Sequence, residues 1–357
     1  MQRLGALRYI GAYVFIVLGY FAFTSSGIVT FSLVLFSFVF IPLVELIASP
    51  RPSTNNPRYI IAYDIILYSL VLLYSGLLVF FLSDISMEHN PVDFIGKTTS
   101  MGMLMGIFGI NMAHELGHRR SKFDQFLAQY LLFTSQYTHF FIEHNRGHHK
   151  RVATPEDPAT ARKGEAIYAF WFRSIRDSYT SAWDLENQAM KLKETRLYSW
   201  KNDMVKYTVF QLILLIIIGF VFGGTTLLAY VIASLLGILL LESINYIEHY
   251  GILRKKINTI AYERVQHYHS WNSDHILGRY LLFELTRHSH HHENSTVKYP
   301  ELQSKQDSPQ LPTGYPGMML LSFIPPLFFM VMDKRIPQPE CLNTSLSESK
   351  PIEFVPD

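Results

Sequence analysis

The sequence predicts an all-α, integral-membrane bundle of six transmembrane helices that carries a histidine-rich lobe on its cytoplasmic side. Three observations lead there. Apolar residues gather in long runs almost free of charge, the polar residues concentrate in 114–205 and 250–357, and fifteen histidines stand against a single cysteine, Cys341. A run of about 20 apolar residues crosses the ~30 Å hydrocarbon core as a helix, a length that the core of a soluble domain rarely needs. The mean hydropathy is only mildly positive because the polar half must lie outside the lipid.

Spans are expected at 9–24, 28–48, 60–82, 96–113, 206–222 and 226–247. The first begins like a secretory signal, but its apolar run ends in Thr24-Ser25-Ser26-Gly27 without a convincing cleavage pattern, so it reads as a retained span. Charge orients the bundle. Arg3 and Arg8 precede the first span, Arg51 and Arg58 follow the second, and His118-Arg119-Arg120-Ser121-Lys122 follows the fourth. The opposite loops carry Asp84, Glu88 and Asp93, with Lys97 as their one basic residue. Positive charge collects on the cytoplasmic side, which places both termini and both long polar segments in the cytoplasm.

The expected organisation is therefore residues 1–113 for spans one to four, 114–205 for a first cytoplasmic segment, 206–247 for spans five and six, 248–336 for a second cytoplasmic segment, and 337–357 for a flexible tail. Segment 121–142 is apolar but interrupted by Asp124, Gln125, Gln129 and Gln136, and reads as an interfacial or partly buried helix. Segment 315–332 is broken by Pro325 and Pro326 and is expected at the surface of the lobe or packed on it.

Four histidine clusters sit at the cytoplasmic ends of spans or in the cytoplasmic segments. In His114-Glu115-Leu116-Gly117-His118 the spacing of four puts both imidazoles on one helical face. In Glu143-His144-Asn145-Arg146-Gly147-His148-His149 an ordinary helix puts His144 with His148 and turns His149 about 100° away. Arg287-His288-Ser289-His290-His291-His292 repeats the pattern with His288, His291 and His292, and His249 ends the sixth span in Asn245-Tyr246-Ile247-Glu248-His249. These nine candidate ligands exceed the four that one zinc takes, and two ions with four or five imidazoles each account for them. One thiol excludes disulfides, zinc ribbons and cysteine-held clusters, and redox-active iron suits nitrogen ligation with a position left open for oxygen.

Two divalent ions held by neutral imidazoles need carboxylates close by. Glu242 and Asn245 lie on the helical face of His249, Asn111 lies three residues before His114, and Glu115, Glu143, Asp157, Glu248 and Asp274 are further candidates, with His275 a weaker one. His139, His267 and His269 have less claim, His290 points off its cluster's shared face, and His89 lies on the wrong side. Glu45 and Asp64 read as interfacial pairs. Phe36, Phe38 and Phe40 are candidates for lining a substrate channel, although aromatic residues on a span more often simply pack.

Taken together, HELGH, EHNRGHHKRVATPEDPATAR, NYIEHYG, RHSHHH and LPTGYPG resemble, in order across roughly residues 95–320, the signatures of the membrane alkane 1-monooxygenases of the histidine-rich desaturase and hydroxylase superfamily. His290 departs from the aspartate usual there. The resemblance implies a cytoplasmic di-iron site held by the same nine histidines and conversion of a terminal methyl group to a primary alcohol. It also implies dioxygen as co-substrate and electrons from rubredoxin, supplied by NAD(P)H through a reductase. The chemistry is coherent, since a saturated methyl group offers neither acid nor lone pair and yields only to oxygen activated at a redox metal. The basic stretches Arg119-Arg120, Lys150-Arg151 and Arg254-Lys255-Lys256 are candidates for docking an acidic electron carrier.

Other classes fit less of the chain. A membrane zinc protease would use His114-Glu115-x-x-His118 and leave seven clustered histidines idle. A metal transporter would place its ligands near the middle of the membrane, not at span ends. A related desaturase or an aromatic-methyl hydroxylase shares the metal chemistry. The net charge of +2 is too small to suggest a nucleic-acid partner.

Overall fold

The structure is a computed structural model that describes residues 2–52, 57, 60–259, 261–305 and 307–337. Arg58, Cys341 and the expected tail beyond Pro337 lie outside the described residues. Among the described residues the chain is helical and has no strand beyond two isolated bridges.

Five helices are long and apolar enough to cross a membrane: α1 (Gly5–Thr24), α2 (Gly27–Ile47), α3 (Ile61–Met87), and, after the helices described next, Asp203–Phe222 and Gly224–His249. Between them runs α4 (Pro91–Leu104), which continues through a wide turn at Met105–Asn111 into Met112–Gly117. It contains the expected fourth span, 96–113. Lys97, Thr98, Thr99 and Ser100 lower its hydropathy, and almost every residue from Gly96 to Asn111 is buried by its neighbours. Composition alone thus marks five spans and not six. Lys97, the one basic residue expected on its side, is neutralised by Asp84 at 2.7 Å and Glu88 at 2.8 Å.

Three shorter or amphipathic helices follow before the next span. Segment 121–142 is two helices, not one: α5 (Lys122–Thr134), capped by Ser121, and α6, which starts at Phe140–Glu143, passes a wide turn at His144–His148 and ends at His149–Arg151. The long amphipathic α7 (Ile167–Leu192) leads to α8 (Asp203–Phe222), whose Asn202 side chain accepts from the N–H groups of Met204 and Val205. α8 exposes Phe210, Leu212, Ile213, Ile216, Ile217, Phe220 and Val221, a continuous apolar face suited to lipid.

α9 (Gly224–His249) then packs against α4 through glycines: a Cβ on Gly237 would come within 2.9 Å of Met105 Cβ, and one on Gly102 within 2.7 Å of Leu236 Cβ. Backbones that approach this closely fix the two helices side by side. The remainder folds over the same end as α10 (Ile276–Leu281), α11 (His288–Glu293), α12 (Tyr315–Ser322) and α13 (Pro325–Met332), the last opened by Pro325-Pro326. Glu45 is not an interfacial pair. Its buried carboxylate accepts from the N–H of Gly278 at 2.8 Å, so α2 anchors α10.

Candidate metal centre

α4 and α9 end in His114, His118 and His249, and α6 and α11 bring the other six predicted imidazoles to meet them. The nine form two abutting groups, His114, His118, His144, His149 and His291 in one and His148, His249, His288 and His292 in the other, with the ligand atoms of each group within 4.8 Å of one another. In the group of five, Nε2 atoms lie 3.0 Å apart for His114 and His291, His118 and His144, and His144 and His149, and 3.2 Å apart for His149 and His291. In the group of four the separations are 3.2 Å for His148 and His292, 3.0 Å for His249 and His288, and 2.8 Å for His288 and His292. Metal–imidazole bonds of about 2.1 Å at right angles put adjacent nitrogens about 3.0 Å apart, so the donor sets fit two ions. The groups touch where the rings of His149 and His292 lie 4.6 Å apart.

The division within α6 differs from that of an ordinary helix. His144 joins His149 and not His148, because the wide turn at His144–His148 adds a residue to the turn and swings His149 back over His144. In α11 the spacing behaves normally: His288 and His292, four apart, serve one group, and His291 faces the other.

Electrostatics favour neutral imidazoles. Burial holds His114 down at about 3, and His118, His144, His149, His291 and His292 well below the usual histidine range. His148 is the exception. Burial opposes its charge, but Asp157, 3.0 Å from Nδ1, overrides that and holds it above the usual value. The same contact fixes the proton on Nδ1 and frees the Nε2 lone pair.

The other supporting candidates divide by what they touch. Glu115 pairs with Arg119 at 3.0 Å and Glu143 with Arg151 at 2.7 Å, so both charges are already balanced. Glu242 accepts from Tyr137 at 2.7 Å and Ser174 at 2.6 Å, and Asn245 joins it. Asp274 meets Ser304 and lies 3.6 Å from Arg287, His275 meets Ser273 at 2.9 Å, and Asn111 donates to the carbonyl of Leu282 at 3.2 Å and not to His114. Glu248 alone of these reaches an imidazole, with Oε2 3.2 Å from His288 Nε2 and Oε1 accepting from Tyr315 at 2.6 Å. Tyr315 was visible in LPTGYPG but carried no assigned role; its position follows only from the fold.

The weaker histidines stand apart from both groups. His139 packs against Tyr137 and Tyr179, His269 meets Glu263 at 3.2 Å, His267 faces Glu293 at 3.8 Å, and His290 accepts from the N–H of Gln303 at 2.9 Å. Asp64 does form the expected pairs, with Arg119 at 2.7 Å and Lys298 at 3.1 Å.

An apolar, partly open cavity lies between α1, α2, α4, α9, α10 and α12. Phe38, Met103, Ile107, Leu241 and Ile244 line it, and Asn111, one turn before His114, closes one side. A second apolar hollow at the surface of the bundle shares Phe38, Met103 and Leu240 with it. Of the three candidate channel residues only Phe38 faces this space. Phe36 stacks on Phe40 at 5.2 Å and packs against Phe15, while Phe40 is exposed.

Residues 94–322 match the family of fatty acid desaturases. An alkane 1-monooxygenase of Alcanivorax borkumensis is 38% identical over 286 residues, covering 80% of this chain and 70% of that protein. One from Pseudomonas aeruginosa is 35% identical over 320 residues, covering 86% and 82%. The chain belongs to the alkane 1-monooxygenase family. A further alkane 1-monooxygenase, from Ectopseudomonas oleovorans, is 43% identical over 237 residues, 66% of this chain and 59% of that protein. Within the alkane 1-monooxygenase family, two imidazole groups beside an apolar cavity at the end of lipid-facing helices have an immediate chemical sense: a hydrocarbon substrate and an oxidising metal must meet where water is excluded.

Proposed function

We propose that this chain is an iron-dependent monooxygenase that hydroxylates the terminal methyl group of a medium- or long-chain alkane, with both imidazole groups at the cytoplasmic face of a six-span bundle in the bacterial inner membrane. The carrying observation is a cavity with no polar side chain except Asn111 and Ser37 among its lining residues, whose wall at Asn111 lies one helical turn before His114 of the imidazole groups. When bound, two iron ions supply the activation of dioxygen that a bare C–H bond requires. The nine imidazoles hold that pair. Asp157 keeps His148 in the tautomer that presents Nε2.

The cavity walls do the rest of the work assigned to protein. Phe38, Met103 and Leu240, common to the cavity and the outer hollow, form the passage by which a chain enters from lipid. A narrow apolar sheath admits the substrate end-on, so a chain end rather than a mid-chain methylene arrives beside Asn111 and His114. Overall, alkane, dioxygen, two electrons and two protons give alcohol and water. The electrons come from rubredoxin, reduced by NAD(P)H through a reductase. The docking surface is narrower than the sequence suggested, since Arg119, Arg151 and Arg254 are committed to Asp64, Glu143 and the carbonyls of Lys150 and Glu263, while Arg120, Lys150, Lys255 and Lys256 stay exposed.

The deciding experiment supplies purified protein with iron, the reducing chain and a mixture of alkanes, fatty acids and methylarenes, and identifies products by mass spectrometry. Primary alcohols from the alkanes are expected. Alkenes alone, benzylic alcohols alone, or peptidase activity with a single bound zinc would overturn the proposal.

A further inference from the structure

Among the described residues, the two carboxylates in direct contact with the nine imidazoles both fall on the group of four. Asp157 approaches from behind, through His148 Nδ1. Glu248 approaches from the inside: its Oε2 lies 3.2 Å from Nε2 of His288, the same atom that faces Nε2 of His249 at 3.0 Å and Nε2 of His292 at 2.8 Å. The carboxylate is aimed, because Tyr315 holds Oε1 at 2.6 Å, and Glu248 is only 1% exposed.

An imidazole nitrogen has one in-plane direction in which to hold either a proton or a metal. An ion seated among these four rings takes that direction at His288, and Glu248 Oε2 then has no N–H to accept from. A buried carboxylate oxygen left without a partner is strongly disfavoured, and the nearest centre of positive charge is the ion itself. Resting on the two-iron reading above, we propose that Oε2 of Glu248 is the fifth ligand of the ion held by His148, His249, His288 and His292.

The two ions are then chemically distinct. One has five neutral imidazoles; the other has four imidazoles and a carboxylate, with Asp157 behind one of them, so two negative charges offset a ferrous ion there and, among the described residues, no carboxylate touches the other group. Tyr315 acts as the positioning residue that keeps Glu248 turned inward.

Mössbauer spectra of the reduced, iron-loaded, full-length protein test this without reference to turnover. Unaltered protein is expected to give two ferrous doublets of equal area. Glu248→Gln should displace or remove one of them and leave the other, and under chelator competition its iron content should fall by about half. Tyr315→Phe, which removes a single hydroxyl and leaves the packing ring, should displace the same doublet while both ions are retained. Glu248→Gln protein with full iron and both doublets unchanged overturns the assignment while leaving the two-iron reading intact. Unaltered protein that binds no iron pair overturns both.

Discussion

Asp157 accepts the Nδ1–H of His148 at 3.0 Å, with both side chains buried, and Thr160 donates to the same carboxylate oxygen, Oδ2, at 2.6 Å. That contact orients a ring and fixes its tautomer while adding negative charge behind a cationic site. Replacing it separates these roles. Asp157→Asn keeps an acceptor but loses the charge, and Asp157→Ala loses both. Iron affinity, measured by chelator titration, is expected to fall on the order of 10- to 100-fold in Asp157→Asn, and further in Asp157→Ala. Equal affinity in all three proteins would remove Asp157 from the metal centre.

The cavity makes a prediction about chain length. Phe38 stands at the junction of the inner cavity and the outer hollow, so Phe38→Ala lengthens and widens the passage. Each methylene buried contributes about 0.8 kcal/mol, roughly a fourfold preference per carbon where space is available. Phe38→Ala is expected to shift the preferred substrate to longer alkanes, and Ile107→Trp, which fills the inner cavity, to shorter ones. Competition between alkanes of graded length, read by gas chromatography, checks both. An unchanged length profile in the two variants would exclude this cavity as the substrate site. Phe40→Ala is the control, since that ring is exposed and stacks on Phe36.

How far the sequence spoke for itself depends on whether local spacing decided the matter. His114 and His118, four apart on regular helix, were legible as a pair, and so was the convergence of nine imidazoles, because no other arrangement uses so many. The division of the second cluster was not legible. It depends on the wide turn at His144–His148, which regular helix spacing does not anticipate. Phe36, Phe38 and Phe40 divide by ordinary helix geometry: Phe36 and Phe40, four apart, stack on each other, and Phe38 between them faces the other way. The expected fourth span falls on helix, but composition does not mark it as a crossing; its polar residues are met by partners elsewhere in the chain, Lys97 by Asp84 and Ser100 by the carbonyl of Thr30, 70 positions away. Tyr315 and Glu45 gained roles from contacts across 67 and 233 positions, beyond the reach of any local reading.

Acid should destabilise the metal-free protein through its buried histidines, those outside the two groups as well as those within them. Burial holds His139 at about 3 and, against the pull of Glu263, His269 at about 4. The unfolded chain takes up these protons near pH 6.5, whereas the folded chain does not until about 3–4. The unfolded state therefore binds more protons in between, and stability, intact above about pH 6.5, declines as pH falls at about 1.4 kcal/mol per pH unit for each such imidazole. Thermal unfolding in detergent at stepped pH should show the midpoint dropping below pH 6.5. His139→Phe, which replaces a ring whose Nε2 has no hydrogen-bond partner, should make that drop shallower. A midpoint independent of pH between 4 and 6.5 would contradict the buried, neutral state of both rings.

Electron delivery is open to the same kind of test. Among the basic stretches, Lys255 and Lys256 are exposed and follow α9 within a few residues of His249, whereas Arg119 is locked in internal pairs. Charge at an interface rim mainly governs encounter and its dependence on salt. Reversing both lysines, Lys255→Glu with Lys256→Glu, is expected to raise the KM for the proposed electron carrier, rubredoxin, on the order of tenfold and to flatten the fall of turnover with added salt. Iron content should be unchanged, and so should the single-turnover yield of enzyme reduced chemically before mixing with oxygen, because neither lysine touches the imidazoles or the cavity. A variant that keeps its KM and its salt dependence would move the docking face away from this loop, toward Arg120 and Lys150. A variant that loses single-turnover yield would show instead that the loop supports the metal centre directly.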